Sequence, residues 1–169
     1  MLRGAVISLI IIDGYNLIGI YHKDLKKQRE MLIDSLIEYH KMKDHDITVV
    51  FDGWKTGEAK ETQIATGGIK VVYSKIGEKA DSVIKRIILS NRREWIVVTS
   101  DRDIRDYAWA SGSIPVSAED FLKVFNRGYQ FNDMEKYDDE DEYIRPVRKG
   151  SPRKLSKKEK AMRRALSKL

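Results

Sequence analysis

Apolar runs rich in β-branched residues alternate along this chain with stretches whose apolar positions recur every three or four residues. Residues 5–12, 47–51, 69–73 and 95–99 are the runs, and 114–116 is a shorter one. Runs without polar alternation read as strands buried on both faces. Between them, residues 23–43 place Leu25, Met31, Leu32, Leu36 and Tyr39 on one helical stripe, and residues 79–91 turn Ala80, Ile84, Ile87 and Ile88 inward. Residues 104–111 read as a helix stopped by Gly112, and 118–126 as a closing helix that buries Phe121, Leu122 and Phe125. Residues 54–68 show no period and read as a loop. Strands alternating with helices predict an α/β fold: a central parallel sheet, helices on both faces and right-handed crossovers.

The pattern stops near residue 130, and the charge then changes sign. Residues 131–144 form an acidic linker and 145–169 a basic tail, after a main domain over 1–130. From Arg145 onward eleven Lys or Arg face one acid, Glu159, so the tail carries +10 and the rest of the 169-residue chain −4. Leu155, Met162, Leu166 and Leu169 recur there at helical spacing, and Ser156 with Glu159 makes a capping-box pattern, so a short basic amphipathic helix is predicted. A basic segment on an acidic body suits a polyanion, nucleic acid first. The absence of cysteine excludes disulfides, zinc-thiolate sites and thiol nucleophiles, and fits a cytoplasmic setting. Asp13 and Asn16 interrupt the first apolar run, against a signal peptide, and no run is long enough to span a membrane.

Three predicted strands end in aspartate: Asp13, Asp52 and Asp101. A fourth acid, Asp81, opens the helix after the third strand. Carboxyl ends of parallel strands, and the helix starts that follow them, share one sheet edge, where ligands bind. Asp103 follows Asp101 by two residues and Asn16 follows Asp13 by three. Crowded carboxylates need a counter-charge, and Mg²⁺ or Mn²⁺, hard cations that prefer oxygen, supply one. Such a site can hydrolyse a phosphodiester. Each acid also has a plainer reading, Asp81 and Asp101 as helix N-caps and Asp52 as a turn residue. His22, His40 and His45 read as surface residues of the first helix. No glycine-rich phosphate loop is present. A Toprim-type site would want Glu at an earlier strand end, and a haloacid-dehalogenase-type site an Asp-x-Asp after the first strand; neither is here.

The segment Ile11-Ile12-Asp13-Gly14-Tyr15-Asn16-Leu17-Ile18 resembles the opening motif of the NYN-domain ribonucleases, a branch of the PIN-like nuclease superfamily. Val50-Phe51-Asp52-Gly53, Val71-Val72-Tyr73-Ser74, the stretch 77–84 and Val97-Val98-Thr99-Ser100-Asp101-Arg102-Asp103 follow in order, similar to the bacterial YacP-like subgroup over residues 5–126. The resemblance implies a PIN-like three-layer fold and a metal-dependent endoribonuclease. Asp13, Asp81 and Asp101 fall on the acidic catalytic and metal-binding positions, Asp103 is a further metal candidate, and Asn16 and Asp52 stand in support. Ser82 occupies a place where many relatives carry a second acid, so one ion or two remains open. The substrate implied is RNA, mRNA or rRNA, with the ribosome as a candidate partner. Candidate RNA contacts are Lys55, Lys60, Lys79 and Arg102 near the cleft and Arg148, Lys149, Arg153, Lys154, Lys157, Lys158, Arg163 and Arg164 in the tail. Trp54 is a candidate stacking residue, and Trp95 and Trp109 read as core. The alternative is a non-catalytic RNA-binding module on the same scaffold.

Overall fold

The computed structural model describes residues 7–19, 24–53, 59–91, 93–128 and 155–169. The expectations for His22, Trp54, Lys55, the acidic linker, Arg148, Lys149, Arg153 and Lys154 lie outside them.

Six strands form one sheet in the order β3-β4-β2-β1-β5-β6. They are β1 (Leu9–Asp13), β2 (Asp46–Phe51), β3 (Thr62–Thr66), β4 (Ile69–Tyr73), β5 (Trp95–Val98) and β6 (Ile114–Val116). All neighbours pair in parallel except β3 with β4. The helices are α1 (Gly14–Ile18), α2 (Leu25–Lys43), α3 (Ala80–Ser90), α4 (Arg102–Ala110), α5 (Ala118–Gly128) and α6 (Lys157–Lys168). The fold is a three-layer α/β arrangement, as expected. Alternate residues of each central strand enter opposite cores. Ile10, Ile12, Val49, Phe51 and Val98 pack with Leu36, Tyr39 and Phe121 on one face. Ile11, Val50, Val72 and Val97 pack with Val83, Ile84 and Ile104 on the other. Both faces of these strands are therefore dry, which is why their sequences read as unbroken apolar runs.

Three expectations are corrected, and Gly14 has a steric reason to be glycine. Residues 62–66 are a strand and not part of a loop. Gly67 and Gly68, at φ of 56° and 88°, make the two-residue turn that joins it to β4. A side chain at Gly68 would collide with His40 Nε2, 2.3 Å from an added Cβ. The chain after β1 enters a short helix directly, so Gly14 sits in no left-handed turn. It is glycine because the Phe51 ring lies 2.2 Å from where its Cβ would stand. Helix α4 starts at Arg102, two residues before the predicted start. His45 is buried, not a surface residue: its Nδ1 accepts from the Ser8 amide at 3.3 Å, its ring packs beside Tyr39, and burial pushes its pKa down.

The predicted basic helix is present as α6, opened by Ser156 and Glu159 in a full capping box. It lies on the β6 edge of the sheet against α5. Ala165 and Leu169 are buried there, and Tyr39 Oη donates to the Leu169 carbonyl at 2.6 Å. No described helix is long and apolar enough to cross a membrane.

Candidate active site

The carboxyl edge of the sheet collects the acids. Asp13 is the last residue of β1, opposite Val50 of β2, and only 8 % exposed. Although it precedes α1, its side chain caps no helix amide. Asp52 follows β2 directly, and its Oδ1 accepts the Ala80 amide at 2.6 Å, so it caps α3 from across the edge. That bond fixes the first turn of α3, where Asp81 stands half-buried. The same junction is locked by Ser74. Its hydroxyl accepts from the Gly53 amide at 2.9 Å and donates to the Glu78 carbonyl at 2.6 Å. A Cβ on Gly53 would stand 1.5 Å from the Ser74 carbonyl oxygen, so only glycine fits.

Asp101 follows β5 by the length of Thr99-Ser100 and is the N-cap of α4, with Oδ1 accepting from the Asp103 and Ile104 amides at 2.8 and 3.1 Å. Asn16 ties this loop to α1: its Oδ1 accepts the Ser100 amide at 2.8 Å. Asn16 thereby sets where Asp101 stands. Asp103 turns to α3, where Lys85 Nζ pairs with its Oδ2. Lys85 also lies 5.5 Å from the Tyr107 ring centre, one turn further along α4. In the sequence a lysine one turn after Asp81 looks like an ordinary surface residue, and only the fold shows its partner.

Electrostatics bind four of these acids into one group. The Asp13 carboxyl is pushed up to about 7, first by burial, then by the charges of Asp81, Asp52 and Asp101; the backbone N–H of Asn16 beside it pulls the other way. Asp81 is also raised, by burial and then by Asp101 and Asp52, with Lys79 opposing. The acids feel one another without forming a cage: among the described residues no three His, Asp or Glu side chains are grouped to hold a metal ion.

The candidate RNA contacts divide. Lys79 and Arg102 are exposed at this edge, beside Asp81 and Asp101, with Arg102 3.8 Å from Asp106. Lys60 is exposed ahead of β3. Lys157, Lys158, Arg163 and Arg164 are exposed on α6, away from the acids. Lys158 sits over Trp109 at 5.4 Å, near the far end of α4, and Lys168 lies 3.8 Å from Glu94, which precedes β5. Trp95 is buried and Trp109 half-buried against the core.

A family model of the YacP-like NYN domain matches residues 10–167. The chain is similar to a crystal structure of Rae1 (YacP) from Bacillus subtilis, at 27% identity and a TM-score of 0.59, over 72% of this chain and 75% of that one. A point mutant of the same protein gives 26% identity and 0.59, over 72% and 76%. No curated protein matches.

Proposed function

This chain belongs to the YacP-like NYN family, a PIN-like nuclease type of domain, and from that premise we propose that it is a metal-dependent endoribonuclease acting at the carboxyl edge of its sheet. The observation that carries the reading is Asp13. A carboxyl at a strand end, uncapped and pushed up to about 7 first by burial and then by three other acids, is poorly placed by itself. A divalent cation among these hard oxygen donors relieves that burial and repulsion together. The donor set therefore fits Mg²⁺ or Mn²⁺, held by Asp13, Asp81 and the oxygen of Asp101 that its helix cap leaves over. When bound, such an ion supplies an activated water and neutralises charge at the phosphodiester.

The chain's own residues do the rest. Asp52 and Ser74 fix the start of α3 and so Asp81; Asn16 fixes the loop that carries Asp101. Lys79 and Arg102 flank the acids as contacts for the RNA backbone, which positions without reading sequence. The α6 cations contact the strand further away. RNA is the substrate, with the ribosome as a candidate assembly and the cytoplasm as the setting.

Asp13→Asn and Asp101→Asn should each lower cleavage of a structured RNA in Mn²⁺ by at least a hundredfold. Both should leave the fold intact, and the wild-type products should carry 5′-phosphate and 3′-hydroxyl ends. Cleavage by the variants that is undiminished and resistant to chelator would end this reading. One observation favours a second: the described acids form no ready cage, as a non-catalytic RNA-binding module would have it. Calorimetry separates the two, since that module binds RNA without binding Mn²⁺.

A further inference from the structure

The carboxyl edge of the sheet also holds, on the α2 side, a guanidinium that no acid among the described residues balances. Arg29 lies in the second turn of α2 and is half-buried. Its Nη1 donates to Tyr15 Oη at 3.0 Å, and its guanidinium carbon stands 5.6 Å from the centre of the Tyr73 ring. Both supports belong to the catalytic edge. Tyr15 comes two residues after Asp13, and Tyr73 ends β4 opposite Phe51, the residue before Asp52. Tyr15 and Tyr73 also pack on the Phe51 ring, at 5.0 and 5.7 Å between centres, so the core fixes both. Among the described residues no carboxylate pairs with Arg29. Lys85, the other half-buried cation among the described side chains, does have one in Asp103.

Half-burying a guanidinium without an anion is unfavourable. The Tyr15 hydroxyl and the Tyr73 ring hold the guanidinium in place, and the planar fork of its five N–H donors matches phosphate oxygens two at a time. We infer that Arg29 is a fixed anchor for a backbone phosphate of the RNA strand, on the α2 side of the carboxylate cluster. The contact is to phosphate and not to a base, because the nearby Tyr73 face is taken by the guanidinium itself. The inference rests on the ribonuclease reading and adds to it the direction in which the strand leaves the acids.

The test is binding of a single-stranded RNA oligonucleotide in chelator, where nothing is cut, across a range of salt. Arg29→Met should weaken binding at least tenfold and make the plot of log K against log salt shallower by about 0.7, the contribution of one phosphate on a single strand. Arg29→Lys should keep the slope and lose affinity several-fold, since an ammonium neither stacks nor forks. Thermal melting reports folding of both variants, and Arg29→Lys carries the test where Arg29→Met does not fold. Unchanged affinity and slope in a folded variant would overturn the inference. So would inorganic phosphate binding that depends on Arg29 while oligonucleotide binding does not, which would assign the fork to a small phosphate. Failure of the wild-type protein to bind RNA at all is a separate result, and it strikes the ribonuclease reading itself.

Discussion

Two aspartates at the ends of adjacent strands show how neighbours decide what one residue type does. Asp101 accepts two helix amides on its Oδ1. Asp13 has no such pair and is pushed up to about 7 from an ordinary value of 3.8. Between those two values the folded protein holds a proton that the unfolded chain has released. Stability of the metal-free protein should therefore fall as pH rises from about 4 to about 7, then level off, by on the order of 4 kcal/mol at most. Asp13→Asn should remove most of that slope and be the more stable protein at pH 8. Urea melts of the two proteins between pH 4 and 8 in chelator measure it, and parallel curves would contradict the assignment. Mn²⁺ should stabilise the wild type at neutral pH and not the variant.

Helices α3 and α4 bring Asp81 and Asp101 to the same edge, and their one described salt link is Lys85 to Asp103. Asp103 is largely exposed, so the pair adds at most about 1 kcal/mol of stability. Its consequence is positional: the pair ties the start of α4 to α3, the two helix starts that carry Asp101 and Asp81. Asp103→Asn and Lys85→Met should then weaken Mn²⁺ binding to a similar, few-fold extent, and the charge swap Lys85→Glu with Asp103→Lys should recover it. Asp81→Asn should abolish binding. Calorimetric titration decides, and loss of binding in Asp103→Asn alone would make Asp103 a ligand. The sequence exposed the acid edge because parallel strands buried on both faces leave long apolar runs, and the runs that end at Ile12, Phe51 and Thr99 are followed at once or within two residues by Asp13, Asp52 and Asp101. It concealed β3, an edge strand whose exposed Thr62-Gln63-Ile64-Ala65-Thr66 has no buried face to imprint a period; the Gly67-Gly68 pair was the available signal. Lys85, Arg29 and the burial of His45 were hidden for another reason. Their environments are made by residues far along the chain.

At the scale of the molecule, the basic segment after residue 145 reads in sequence as an appendage, yet its helix is packed into the body. Ala165 and Leu169 join the core beneath α2 and α5, and Tyr39 closes on the Leu169 carbonyl. Leu169→Ala should lower stability by about 2 kcal/mol, read as a drop in melting temperature. A purely electrostatic tail would show none. Because α6 belongs to the core, residues 130 positions apart in order of synthesis must meet before the sheet is covered. A polypeptide cut short before residue 157 would carry every acid of the candidate site on a scaffold left open along β6. Residues 157–169 thus stand as a precondition for a stable acid edge, and fragments that lack them would be ready targets for proteolysis.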